Sequence, residues 1–207
     1  MTDLILVRHG QATHNLEGRW EGWGSTPLTD TGQRQAEAVA QRLAEWCPPI
    51  LNLYTSPILR ARQTAAAIAH HLGLEAIKHD GLREINFGQV SGMNLDEFRD
   101  TMPDLYDRWQ DRSDTTFRYP QGEQRLAFFQ RVGEALDDIL AQHAGDQVAV
   151  VAHGGTIRAG LAHLFPDTMS DWWTYPLRTA SISHVRVNSG GNVLLSLSDS
   201  QHLDGQP

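Results

Sequence analysis

Leu4-Ile5-Leu6-Val7-Arg8-His9-Gly10 is the stretch on which the fold turns. Four strongly apolar residues in a row read as a buried strand, and the Arg-His-Gly that follows is where the chain leaves it. The pattern recurs far downstream, where Val148-Ala149-Val150-Val151-Ala152 runs into His153-Gly154-Gly155. Continuous apolar runs suit a parallel sheet covered on both faces. Open α/β sheets bind ligands beyond the carboxyl ends of their strands. Two histidines and an arginine delivered to such ends therefore read as one site, with an anion as the expected guest. A histidine after a single strand is more often an ordinary hydrogen-bonded loop residue, so a third strand end carries weight.

That third end is Leu51-Asn52-Leu53-Tyr54, which runs into Thr55-Ser56-Pro57-Ile58-Leu59-Arg60. Ser56 reads as a helix N-cap and Pro57 as the first helical residue. Arg60 then falls in the first turn, beside free backbone N–H groups and the positive end of the helix dipole, a combination suited to phosphate.

Between and beyond these ends, strands alternate with helices. A helix over residues 30–46 carries the apolar stripe Ala36, Val39, Ala40, Leu43 and Ala44, and a second carries Ile58, Ala61, Ala65, Ile68 and Leu72. A short strand near 75–78 follows, then later an amphipathic helix over 123–142, the strand before His153, and a helix through Ile157, Leu161 and Leu164. Segments 182–187 and 193–197, flanking Ser189-Gly190-Gly191-Asn192, read as a hairpin at the sheet's edge. This order predicts a three-layer α/β fold, a mostly parallel central sheet with helices on both faces. Residues 94–121 break the pattern and read as an inserted helical lid that shapes substrate choice. The aromatics Trp20, Trp23, Trp109, Phe117 and Tyr119 are expected to pack loops against the body more than to line a ligand wall.

Composition narrows the function. A chain of 207 residues, 40% hydrophobic and without internal repeats, reads as one domain over 1–207. Its opening apolar run is too short for a signal peptide and no segment approaches a membrane span, so a soluble, cytoplasmic protein is expected. The single cysteine, Cys47, excludes an internal disulfide and a cysteine-based zinc cage, and reads as a structural thiol. A net charge of -8 without a basic stripe argues against nucleic acid. Capture of an anion must then rest on local groups within about 8–10 Å, roughly one Debye length. No G-x-G-x-x-G or Walker A motif is present, and His9 and His14 lack the i, i+4 spacing of a helical metal pair, so neither cofactor nor metal is expected. His14 should border the pocket. His184 could approach it from the closing hairpin and takes no assigned role. A homodimer is left open.

The residues and their spacing resemble the histidine phosphatase superfamily, in its phosphoglycerate mutase-like branch. Arg8-His9-Gly10-Gln11 through Asn15 is similar to the family's opening signature, and Pro27-Leu28-Thr29 through Gly32, Gln35 and Ala36 to its next block. Ser56-Pro57 through Arg60-Ala61 with Gln63-Thr64-Ala65, Leu82-Arg83-Glu84-Ile85-Asn86-Phe87-Gly88 with Gly92, Pro120 with Gly122-Glu123, and His153-Gly154-Gly155 with Arg158 resemble those that follow. Departures occur too. Ala12 stands where Ser or Thr is common, Glu21 and Ser25 stand where Gln and Asp are frequent, and Val90-Ser91 replaces an aromatic and an acid. These touch substrate preference more than chemistry.

The resemblance implies hydrolysis of a small phosphorylated metabolite through a phosphohistidine on His9, which splits one displacement into two. It implies phosphoryl binding by Arg8, Arg60 and His153, the last best suited when protonated, with Asn15 and the Gly154 N–H in support. Glu84 is the implied proton donor to the leaving oxygen, and afterwards the base that activates water. Two alternatives stand: a cofactor-dependent phosphoglycerate mutase, and a non-catalytic phosphate-binding module. The compact segment after Glu84 differs from the longer insertion usual in mutases of this family, and the intact His9, Glu84 and His153 speak against a silent module.

Overall fold

The computed structural model describes residues 1–166 and 174–204. A six-stranded sheet runs through its centre in the order β3-β2-β4-β1-β5-β6. Its strands are β1 (Thr2–Arg8), β2 (Asn52–Thr55), β3 (Ala76–Lys78), β4 (Gln147–Ala152), β5 (Ile182–Val187) and β6 (Val193–Asp199). The first four pair in parallel, while β5 is antiparallel to β1 and β6 antiparallel to β5. This is the expected mostly parallel sheet, closed at one edge by the expected hairpin.

Side-chain alternation along the strands builds two separate cores. Leu4 and Leu6 of β1, with Val148, Val150 and Ala152 of β4, face one side and meet Leu136 and Ile139 of α6 (Arg125–Gln142) and Ile157 and Leu161 of α7 (Gly154–Leu164). Ile5, Val7, Leu53, Ala149 and Val151 face the other side. There they meet Val39, Ala40 and Leu43 of α2 (Asp30–Ala44) and Ala61, Ala65 and Ile68 of α3 (Leu59–Leu72). Because both faces are covered, the strands can be apolar throughout, which is why the opening run shows no alternation. Each fully buried Leu, Ile or Val contributes about 1.5–3 kcal/mol, so replacing one of these side chains by a polar group destabilises the sheet.

A third core belongs to the segment read from the sequence as a lid. It comprises α4 (Leu95–Thr101), α5 (Pro103–Gln110) and the following loop, which bury Phe98, Trp109, Phe117 and Tyr119 against Ile85, Val90 and Phe128. The Asn94 side chain caps α4 by accepting from the Glu97 N–H, and Pro103 opens α5. Arg125 ties the lid loop down by donating to the carbonyls of Trp109, Asp111 and Asp114.

Three sequence readings are corrected. The glycine-rich stretch after β1 contains a short helix, α1 (Thr13–Leu16), that no periodicity could reveal in four residues. The helix after β2 begins at Leu59 rather than Pro57, with Ile58 at the N-cap position. Ser56 nevertheless accepts from the Ile58 N–H at 3.2 Å, so its hydroxyl performs a capping role two residues early. Cys47 is exposed and free, and is no packing thiol.

Candidate active site

The site forms where three adjacent parallel strands end. β1 lies between β4 and β5, and β4 between β2 and β1, in a register that sets Arg8 opposite Ala152 and Thr55 opposite Val151. The next residues of the three strands are His9, His153 and Ser56. The ladder continues into them, since the His9 N–H donates to the Ala152 carbonyl at 3.0 Å and the Ser56 N–H to the Val151 carbonyl at 2.9 Å.

His9 is buried, and its Nδ1 lies 2.7 Å from the Gly10 carbonyl. A carbonyl only accepts, so Nδ1 carries the proton and Nε2 holds a lone pair. Burial, reinforced by the charges of Arg60 and Arg8, pushes the His9 pKa well below that of an ordinary histidine. A neutral imidazole with a free-base Nε2 is the form that can attack phosphorus. In this state the lone pair accepts from Arg60 Nε at 3.1 Å.

The His153 ring lies edge-on to that of His9, with centroids 5.1 Å apart. Its Nε2 is 2.7 Å from the Ser56 hydroxyl, and its buried Nδ1 has no hydrogen-bond partner. Burial and Arg60 push the His153 pKa far down, so the protonated ring favoured by the sequence reading is not the resting form. A bound dianion would act in the opposite direction. Arg8 donates through Nη1 to the Leu177 carbonyl at 2.5 Å, while its buried Nε is also unpartnered. Burial lowers the Arg8 pKa to about 10, which leaves it charged at neutral pH.

Glu84 is buried, and both of its carboxyl oxygens accept backbone N–H groups at 3.0 Å, Oε1 from Ile85 and Oε2 from Gly155. The second contact requires glycine, because a Cβ on residue 155 would stand 2.3 Å from Glu84 Oε1. The loop bearing Glu84 is held from behind. Arg131 donates to the carbonyls of Gly81 and Arg83 and pairs with Glu123 at 2.8 Å. Thr156 donates to the Arg83 carbonyl, and Trp23 to the Glu84 carbonyl. The Glu123 block read from the sequence thus supports Glu84 from a distance.

These groups open on a cavity of about 310 Å³ lined by Arg8, His9, Asn15, Arg60, Glu84 and Gly154 among others. Asn15 Oδ1 accepts from the Ala12 N–H, which leaves its amide nitrogen for the cavity. Of the sequence-derived site residues, only His153 is not part of the lining; it is fully buried against the His9 ring. His14 borders the cavity as expected. His184 does not: it sits 3.5 Å from Asp3, toward the opposite end of β1, edge-on to Trp46. Trp20, Trp109 and Tyr119 pack the lid and line the cavity at once, so packing and lining were not exclusive roles.

The sequence profile of the histidine phosphatase superfamily (branch 1) matches residues 4–200. The chain belongs to this family. It is 32% identical over 203 residues to phosphoserine phosphatase 1 of Hydrogenobacter thermophilus, across 98% of this chain and 95% of that protein. It is 30% identical over 212 residues to a probable phosphoglycerate mutase of Yersinia enterocolitica, across 99% and 96%. Among solved histidine phosphatase folds it superimposes on a phosphoserine phosphatase of Entamoeba histolytica in complex with 3-phosphoglyceric acid. That match has a TM-score of 0.86 at 28% identity and covers 98% of this chain and 100% of that one.

The sequence did not single out Glu21, Arg112 or Arg125 for the site. All three line the cavity. Arg112 lies over the Trp109 ring at 3.9 Å. Glu21 lies in the polar loop after the first strand, Arg112 in the segment read as a lid, and Arg125 at the start of the amphipathic helix, so only Arg112 carried a signal from its segment.

Proposed function

We propose that this histidine phosphatase hydrolyses a small phosphomonoester whose leaving group carries a carboxylate or a comparable second anion. The observation that carries the reading is a pair of orphaned buried nitrogens, Arg8 Nε and His153 Nδ1, beside the His9 lone pair. Buried polar groups are rarely left unsatisfied, and a phosphoryl group supplies the acceptor that Arg8 Nε lacks, and one for His153 Nδ1 when that nitrogen carries a proton. His9 Nε2 attacks phosphorus in line, while Arg8, Arg60, Asn15 and the Gly154 N–H bind the equatorial oxygens, where fixed donors in a dry pocket act most strongly. Glu84, whose carboxyl is aimed by the Ile85 and Gly155 N–H groups, delivers a proton to the leaving oxygen. The same carboxylate then takes a proton from the water that opens the phosphohistidine.

Cations beyond those assigned to the phosphoryl group favour a second anion on the leaving group. Arg112 and Arg158 add positive charge to a cavity whose carboxylates are Glu84 and Glu21. The Entamoeba histolytica relative has been crystallised with phosphoserine and with 3-phosphoglyceric acid, both carboxylates. A panel that includes phosphoserine and 3-phosphoglycerate, set against glycerol phosphate and phosphoethanolamine, tests the reading. Higher kcat/KM for the carboxylates supports it, and a preference for the neutral or cationic leaving groups overturns it. Conversion of 3-phosphoglycerate to 2-phosphoglycerate in place of phosphate release would establish the mutase alternative.

A further inference from the structure

Arg60 is saturated before any anion arrives. A guanidinium has five N–H donors, and each has an acceptor here. Nε donates to His9 Nε2, Nη1 to Glu21 Oε2 at 3.2 Å and to the Gly24 carbonyl at 3.5 Å, and Nη2 to the carbonyls of Glu21 and Gly22, each at 3.0 Å. Phosphoryl binding must therefore displace at least one of these contacts. The contact to His9 has to break in any case, because that lone pair is the one that attacks. The entering phosphoryl group meets the Glu21 carboxylate on the same guanidinium.

Glu21 is not free to withdraw. Its carboxylate also accepts from the backbone N–H of Thr26 at 3.3 Å and, through a short bond, from the Thr26 hydroxyl. Its other neighbour is His14, whose Nδ1 lies 3.0 Å from Oε2 outside hydrogen-bond geometry. Burial and the Arg60 charge lower the His14 pKa to about 4, against the pull of Glu21, so at neutral pH His14 does not neutralise the carboxylate. The charged groups around Glu21 are then Arg60 in contact and, in the same cavity wall, Arg8, Arg19, Arg112, Arg125, Arg158 and Glu84.

We propose that Glu21 is a built-in anionic competitor for the phosphoryl site, which weakens the hold on inorganic phosphate and thereby speeds product release. The inference rests on the phosphatase reading above and adds to it a reason why the product leaves. Tight binding of substrate and transition state alike adds nothing to turnover, and a retained product slows it. In a loose transition state the transferring group has the character of metaphosphate and carries less charge than a phosphate dianion. A fixed carboxylate beside Arg60 therefore opposes the dianionic product, and the dianionic substrate, more than the transition state.

The test is titration calorimetry with inorganic phosphate near neutral pH, together with steady-state kinetics. Glu21→Gln keeps the size of the side chain and removes its charge, and its single amide oxygen can keep the Thr26 or the Arg60 contact but not both. It should lower the phosphate Kd by about tenfold or more, since a like charge a few ångströms away in a buried site is removed. KM and kcat should fall together, with phosphate the stronger product inhibitor. Thr26→Val, which loosens the same carboxylate without removing its charge, should change the phosphate Kd by less than about twofold. Glu21→Asp, which withdraws the charge from Arg60, should give a smaller gain in the same direction, and decides the matter if Glu21→Gln does not fold. Phosphate binding no tighter in Glu21→Gln than in the wild type overturns the proposal, as does an equal gain in Thr26→Val. If neither wild type nor variant binds millimolar phosphate, the phosphate pocket is itself refuted.

Discussion

Gly155→Ala isolates the acid from the rest of the machinery. The new Cβ would stand 2.3 Å from Glu84 Oε1, where ordinary contact begins near 3.4 Å, so something must yield by about 1 Å. What yields is the end of the Glu84 side chain, because the glycine backbone is anchored at the start of α7 behind His153. The protein should lose about 1–3 kcal/mol of stability and remain folded, while the carboxyl loses the Gly155 N–H and its aim. A misplacement of that size costs about 10²-fold in a positioned group. The loss should fall on substrates that need a proton at the leaving oxygen. Turnover of an alkyl phosphate should drop about a hundredfold, and that of a nitrophenyl phosphate, whose leaving group departs unassisted, by less than about tenfold. Parallel kinetics on the two ester classes, with a melting curve for each protein, check this. Equal losses on both esters, or none on the alkyl ester, would refute the assignment of Glu84 as acid and the geometric argument behind it.

Three further outcomes follow from the same site. Glu84→Gln should slow alkyl esters by about 10²–10⁴-fold and activated aryl esters much less, as read from kcat on matched substrates. His9, His153 and His14 all have pKa values depressed below the ordinary histidine value of 6.5, so the unfolded chain takes up protons first as pH falls. Their contribution to stability is complete above about pH 6.5 and is lost on acidification at about 1.4 kcal/mol per pH unit for each. Melting temperatures should fall steeply below that point and recover in part with added phosphate, and a flat acid limb would contradict the neutral histidines. Exhaustive chelation should leave activity intact, because the anion is held by arginines and N–H groups, and rescue of a chelated, inactive enzyme by one divalent ion would sink that view.

What could be read in advance was what local pattern encodes. The apolar runs ending at Val7 and Ala152 gave the strands, their polar successors gave His9 and His153, and adjacency in a parallel sheet brought them together with little left to tertiary accident. Glu84 was legible only through the block around it, since nothing local distinguishes it from a solvated glutamate. Its burial depends on Gly155, 71 residues away. Glu21 was read as a departure without a consequence, because its meaning lies in a contact with Arg60 across 39 residues. His184, left without a role, could not be placed from the sequence for a related reason. Position in the hairpin fixes the strand, but register places the residue opposite Ile5, well short of the strand end. The early placement of the second crossover helix came from treating Ser56-Pro57 as a cap, when Ser56 is drawn to His153.

The most direct test of the account is to mix the enzyme briefly with substrate labelled in the phosphoryl group and quench without acid. The account predicts label on the wild-type protein that is stable to base and released by acid, mapped to His9, and none on a folded His9→Ala variant that no longer turns over. Label on a serine or an aspartate, or undiminished hydrolysis by His9→Ala, would contradict it.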